Sequence, residues 1–415
     1  MNVKEREQRS ELETGRSDGG LLRQLLQRLA HGDIGSLPVL LGLVLIAVVF
    51  QIANPNFLTP LNLTNLMVQI SSVGTIAVGV VLVLLIGEID LSVGAVSGLC
   101  AGLMGVLSVK IGLPGVPTVL LSLLAGFLIG LFQGWWITKL HVPSFVVTLA
   151  GYLGWQGALL WVLGSTGTIN LNDLFIVGLA NTRLPVWMGW TIGAAAVAIF
   201  LLASAGLQIR KSRQSLHSQS VLAVILRGVV IAIVVLGPVA IMSVNRNPRG
   251  NVPVMGVPTA VVILLAIIIA FNFLTKRTRY GRYVFAVGGG AEAARRAGIN
   301  VNRIRIWVFA LCSTLAAAGG VLAGSRLFAV NQSSGGGDVL LNSIAAAVIG
   351  GTSLFGGRGS TWSALLGALI IGAIANGMDL LAFASSVRFM ITGAVLLVAV
   401  TIDAYSRARR EQAGQ

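Results

Sequence analysis

Residues 73–109 read VGTIAVGVVLVLLIGEIDLSVGAVSGLCAGLMGVLSV, an apolar run interrupted once, from Gly87 through Ser92. Gly87 breaks a helix, and Asp90 can cap the next one, its carboxylate taking free N–H groups. The stretch therefore reads as two spans, 66–86 and 91–109, joined by a polar break. Working outward, runs of about 17–25 apolar residues recur from Leu37 to Asp403. Further spans fall near 37–53, 117–138, 144–163, 189–207, 221–243, 256–275, 304–324, 339–357, 361–381 and 387–403. Apolar residues make up 55% of the 415 and charged ones 10%. The 52 glycines suit close helix packing in lipid. Barrel strands would need alternating segments of about ten residues, and none appear. The expected fold is all-α, a polytopic membrane protein with 10–12 transmembrane helices, because 91–109 and 339–357 are short enough to be broken or re-entrant.

Charge sets the expected orientation. With the N-terminus inside, 23 of the 29 Lys and Arg fall on the cytoplasmic side. The other side holds Lys110, Arg183, Arg246, Arg249, Arg326 and Arg388. Both termini are then cytoplasmic. The net charge of +15 reflects topology and contact with anionic membrane lipid, not nucleic acid. Residues 1–36 form a polar cytoplasmic tail without the apolar core of a cleaved signal peptide. Residues 37–406 form the membrane domain, and 407–415 a second cytoplasmic tail.

The polar segment 276–303, KRTRYGRYVFAVGGGAEAARRAGINVNR, interrupts the spans on the cytoplasmic side. At its centre Ala291–Ala297 reads as a two-turn helix between glycines. Glu292 stands in its first turn, Arg295 and Arg296 in its last, and Gly298 supplies the left-handed stop. Glu292 and Arg296 are also spaced for an i, i+4 pair. The helix is too short to cross a membrane. A rigid surface helix of this kind suits a membrane protein on which something soluble must push. Its alanines, Ala291, Ala293, Ala294 and Ala297, leave a smooth face for a groove.

Catalytic patterns are missing. There is no GxxxxGK[ST]. Gly288-x-Gly290-x-x-Ala293 resembles a dinucleotide fingerprint only superficially, since no βαβ unit surrounds it. Gly356-Gly357-Arg358-Gly359-Ser360 reads as a tight turn between spans. Cys100 and Cys312 form no spacing pattern, and His31, His141 and His217 lie far apart. No metal, cofactor or catalytic residue is expected.

That leaves transport. Glu88, Asp90 and Asp379 are the acids within or beside apolar segments. Two readings stand for them: a structural one, in which Asp90 caps a helix, and a pathway one, since acids within a membrane face a cavity or a partner. Ser92 and Asn376 join them as candidate pathway or broken-helix residues. The run Ile86–Gly94 also echoes Ile349–Gly357. Ile129-Gly130 with Gln133-Gly134 echoes Ile371-Gly372 with Asn376-Gly377, so an internal duplication is a candidate. A proton-coupled transporter could use Glu88 and Asp90 as carriers, but no Lys or His relay accompanies them. A membrane enzyme would need a catalytic cluster, which is lacking.

GEIDLSVGAVSGL (87–99), VPSFVVTLAG (142–151), GRYVFAVGGGAEAARRAGI (281–299) and AVIGGTSLFGGRGS (347–360) together resemble the membrane permeases of ATP-binding-cassette sugar importers. The resemblance runs from about Leu37 to Ser406 and is greatest to the xylose type. Glu88 stands where ribose-type relatives carry glycine. An extra span pair at about 189–243 surrounds the basic loop RKSRQSLHSQS (210–220). Branched-chain amino-acid permeases share the GGTSLFGG region, but the EIDLSVG run favours sugars. Gly290 departs from the asparagine of many relatives, which alters the cap of the short helix. The resemblance implies a bacterial inner-membrane homodimer of permease copies. It implies two ATPase subunits beneath, which alone hydrolyse ATP, and a periplasmic sugar-binding protein above. It casts Gly288, Gly289, Gly290, Ala291, Glu292, Ala293, Ala294, Arg295, Arg296, Ala297 and Gly298 as the coupling helix and its flanks. The implied cargo is D-xylose or a related pentose, with ribose- or galactose-like sugars as the alternative.

Overall fold

The computed structural model describes residues 37–213, 221–247, 250 and 253–412. The N-terminal tail 1–36, most of the basic loop 210–220 and the last three residues lie outside the described residues. Fifteen helices account for almost all of the rest. They are α1 (Leu37–Ala53), α2 (Pro60–Leu85), α3 (Val93–Gly105), α4 (Gly115–Lys139) and α5 (Ser144–Leu163). Then come α6 (Leu174–Asn181), α7 (Val186–Arg213), α8 (Val221–Ser243), α9 (Thr259–Arg277) and α10 (Arg279–Gly289). The series closes with α11 (Ala291–Arg296), α12 (Val301–Leu327), α13 (Gly337–Ile349), α14 (Thr361–Leu380) and α15 (Ser385–Gln412). A π turn over Val106–Lys110 prolongs α3.

Among the described residues, nine helices are long and apolar enough to cross a membrane. Shorter apolar helices lie at Val39–Ala53, Gly337–Ile349 and Ser385–Val398. Each of the twelve expected spans thus corresponds to a helix. The short segment 91–109, as α3 with its π turn, is long and apolar enough to cross. The helix in 339–357 is shorter than that: α13 ends at Ile349, and a glycine-rich loop follows. The last helix also continues past 407 to Gln412, where a tail was expected.

Two helices form the axis. α2 starts on a Thr-Pro pair: the Asn62 N–H donates to Thr59 Oγ1 at 3.4 Å, and Pro60 takes the first helical position. From Ser71 to Leu85 nearly every residue of α2 is buried. α12 packs against α2, α3 and α4 together. Glycines permit that approach. Gly126, Gly130 and Gly134 recur every fourth residue on α4, and a Cβ at Gly130 would lie 2.3 Å from the Phe309 carbonyl of α12. With no hydrophobic drive between helices in lipid, such backbone contact supplies the packing energy. α7 and α8, the extra pair, pack mainly on each other and keep most of their side chains exposed.

Among the described residues one small sheet, β1 (Thr168–Asn170) antiparallel to β2 (Ala329–Asn331), ties the end of α12 to the segment after α5. Beside it Asp173 caps α6, accepting from the Phe175 and Ile176 N–H groups, and also takes the Gly115 N–H at 3.0 Å. Asn62 and Asn376 exchange two side-chain hydrogen bonds, of 2.6 and 3.0 Å, at the start of α2. These contacts belong to the end of the bundle opposite Leu85.

Candidate functional site

α2 ends at Leu85, and the break follows. Gly87 has φ of +75°, open to glycine and strained for other residues. Just beyond, Glu88 Oε1 meets Arg305 Nη2 at 2.8 Å, with both side chains largely buried. Asp90 Oδ1 accepts from the Ser92 N–H at 2.8 Å and the Ser92 hydroxyl at 2.6 Å. Gln133 of α4 donates to Ser92 Oγ at 2.9 Å. The residue flanking α3 is Ser92 rather than Asp90, and its own side chain caps nothing in that helix. Asp90 therefore fixes the turn that leads into α3 and does not hold the helix's first free N–H groups, as the sequence had led us to expect. The cause is spacing: Asp90 stands two residues before the cap position.

This arrangement makes a prediction. Asp90→Asn keeps an oxygen for both Ser92 donors, so folded protein recovered from membranes should stay near the wild-type level. Asp90→Leu removes the acceptor for two buried donors and should lower it, since each buried donor left without a partner costs about 1–3 kcal/mol. Size-exclusion profiles of a fluorescent fusion distinguish the two. Equal recovery of both variants would refute the role.

The segment 276–303 holds two helices where the sequence showed one. α10 was hidden by its polar residues, although Thr278 caps it, accepting the Gly281 N–H at 3.2 Å. α11 covers Ala291–Arg296, with Ala297 as its last cap and Gly298 at φ +82°. Gly290 starts it in extended backbone, without a side-chain cap. Glu292 meets Arg295 at 2.9 Å and Arg296 at 3.5 Å, both pairs well exposed and so worth little energy. The expected four-alanine face is corrected here. Ala294 is only 4% exposed and belongs to the protein's own core, while Ala293 and Ala297 face outward. Helical periodicity turns Ala294 inward, toward the Ile299 N–H that its carbonyl accepts at 3.0 Å.

The break, α10 and the loop after α13 meet at one point. The Leu85 carbonyl accepts the Gly357 N–H at 2.9 Å. A Cβ at Gly288 would lie 1.7 Å from the same carbonyl, and one at Gly356 2.9 Å from the Gly87 nitrogen. Lys276 Nζ donates to the Gly359 carbonyl at 3.4 Å and lies over the Phe285 ring. Gly288 is thus a point of backbone contact, whereas Gly289 has open space around it.

The candidate set is split by this geometry. Glu88, Asp90 and Ser92 stand beside the segment containing α10 and α11. Asn376 and Asp379 lie at the far end, bonded to Asn62 and to Arg388. The first sequence echo places Ile86–Gly94 and Ile349–Gly357 at helix ends that touch. The second places Gln133 and Asn376 at opposite ends of α2. Arg305, unnoticed in the sequence, is the partner of Glu88. The sign was there: Arg303 and Arg305 are two residues apart on one helix, so they face nearly opposite ways and one must turn inward. Among the described residues no group of three metal-ligating side chains occurs.

Fold and site together define a multi-pass, all-helical membrane protein with a polar cluster at one end. The chain belongs to the family described as the branched-chain amino acid transport system / permease component, which matches residues 62–400. It is 36% identical over 353 residues to the xylose transport system permease protein of Escherichia coli, covering 85% of this chain and 87% of that one. It is 35% identical over 380 residues to the xylose permease of Haemophilus influenzae, covering 90% and 98%. It is 30% identical over 383 residues to the ribose import permease of Bacillus subtilis, covering 92% and 97%. The resemblance to sugar permeases read from the motifs agrees with these relatives. No solved structure matches the chain.

Proposed function

We propose that this chain is the transmembrane permease subunit of an ATP-binding-cassette importer that admits a monosaccharide, a pentose of the D-xylose kind, to the cytoplasm. The observation that carries the reading is the junction at the Leu85 carbonyl, where α10, the break after α2 and the glycine loop after α13 meet. A push on α11 passes through α10 to Gly288, and from there to two helix ends at once. Such a junction lets a soluble motor change the access of a membrane path. Relatives named for xylose and for ribose support the sugar class, and the higher identity to the xylose permeases favours D-xylose over D-ribose.

In this reading the Leu85 end faces the cytoplasm, and both termini lie on that side of the bacterial inner membrane. The outward residues of α11, Glu292, Ala293, Arg295 and Arg296, meet an ATPase subunit. A sugar-binding protein docks at the Asn62–Asn376 end, and a second permease copy completes the path. The chain contributes no chemistry of its own, and ATP hydrolysis falls to its partners. Glu88 sets the position of the break beside the path.

The test is uptake of labelled D-xylose, D-ribose and D-galactose by a strain lacking the chain, with and without the gene restored. Restored D-xylose uptake that persists when the proton gradient is collapsed, together with copurification of an ATPase subunit, is the expected result. Restoration of D-ribose alone would move the reading to the ribose type. Uptake abolished with the proton gradient while ATP remains high would replace it with a proton-coupled carrier.

A further inference from the structure

Beside the junction, and separate from it, a cleft of about 510 Å³ opens between α9, α10 and α12. Arg303, Trp307 and Leu311 line it from α12, Tyr280 and Tyr283 from α10, and Leu274 from α9. The α12 residues recur every fourth position, so they form one stripe about 12 Å long, from charged through aromatic to aliphatic. The four ion pairs among the described residues use Arg295, Arg296, Arg305 and Arg388, leaving Arg279, Arg282 and Arg303 without an acidic partner. Arg303 stands in the first turn of α12, where the helix dipole disfavours a cation, and no acidic side chain among the described residues pairs with it to offset that.

We propose that this cleft is a binding site for one anionic phospholipid, its phosphate held by Arg303 and its acyl chains laid along Trp307, Leu311 and Leu274. The stripe has the polarity of a lipid: a phosphate-binding head at the helix start, aromatic residues at the depth of the head-group boundary, and an aliphatic wall beyond. Two of the three walls, α9 and α12, are membrane-spanning helices. That places the cleft at the bilayer edge, whereas the outward residues of α11 project beyond it. A bound lipid would hold α10 against the start of α12. The site does not depend on which sugar is carried.

The test uses the full-length protein in detergent, titrated with phosphatidylglycerol or phosphatidylcholine and read by native mass spectrometry. The first phosphatidylglycerol is expected to bind at about ten-fold lower concentration than phosphatidylcholine. Arg303→Gln should weaken phosphatidylglycerol about five-fold, while Arg303→Lys stays near wild type. Arg358→Gln, which removes the same charge at the same end but outside the cleft, should leave binding unchanged. An unaltered melting temperature in lipid-free detergent guards against a folding defect, and the Lys variant keeps the test open if Arg303→Gln fails to fold. Equal losses in the Arg303 and Arg358 variants would mean diffuse charge and overturn the site. Displacement of the lipid by millimolar inorganic phosphate would mean a free-anion site and overturn it too. So would a Tyr283→Cys protein whose two copies cross-link through the cleft, which would make the occupant a second copy of this chain.

Discussion

Gly288→Ala is expected to reduce substrate-stimulated ATP hydrolysis by the assembled complex at least about ten-fold, with the permease still inserted. The reason is steric. The added Cβ would lie 1.7 Å from the Leu85 carbonyl and close to the Gly357 nitrogen. Both are backbone atoms that cannot rotate away, so α10 must lift from the end of α2. The 2.9 Å bond from Gly357 to Leu85 is then strained or lost. The control is the neighbouring residue. Gly289→Ala meets nothing within 4 Å, so it should behave as wild type apart from a slight gain in helix propensity. Stimulated hydrolysis and the amount of folded protein are measured side by side. Normal stimulation in Gly288→Ala would remove the junction from the coupling route, and equal loss in both variants would point to the helix rather than to the contact.

The second large effect concerns Glu88 and Arg305. Their ion pair is mostly shielded from water, so removing one partner leaves a charge without compensation, which costs far more than the pair contributes. Glu88→Gln and Arg305→Gln should each lower thermal stability and transport markedly. The double variant should recover a substantial part, giving a coupling energy of about 1–3 kcal/mol. Exchanging the two, as Glu88→Arg with Arg305→Glu, should restore more than either single reversal. If the single losses simply add, the 2.8 Å contact carries no energy. If stability recovers in the double variant while transport does not, Glu88 acts on the path itself and not only through Arg305.

Much of this architecture was legible because lipid imposes a simple code. The limits of α1, α5 and α8 agree with the apolar runs 37–53, 144–163 and 221–243 to the residue. α2 begins six residues before its apolar run because Asn62, Thr64 and Asn65 are polar, and the Thr59-Pro60 start marks the true end. α10 escaped notice because a surface helix has no continuous apolar run, only an alternating face. α13 was read too long because glycines and small residues keep hydropathy high through a loop. The candidate site was legible as a list but not as a place. Intramembrane acids can be counted in a sequence, yet nothing in it says that Glu88 and Asp379 sit at opposite ends. The Arg303–Arg305 spacing hints that one of them turns inward, but the pairing with Glu88 was hidden for the same reason, since a salt bridge across 217 positions leaves no local trace.

The glycine seam between α4 and α12 has a mechanical consequence. Backbones in direct contact at Gly126, Gly130 and Gly134 leave no soft layer of side chains to deform, so the two helices can move only as one lever. α12 is 27 residues long, about 40 Å. If Arg305 and the chain around it are displaced at one end, a tilt of only about 5° moves the other end by about 3.5 Å. At that far end Asn181 donates to the Ser325 carbonyl at 2.7 Å, and the Ser325 hydroxyl accepts the Ala180 N–H at 2.9 Å. A shift of that size exceeds the reach of a hydrogen bond. α6 must therefore either travel with the lever or release it, and the short helix becomes the latch that fixes how far each stroke can go.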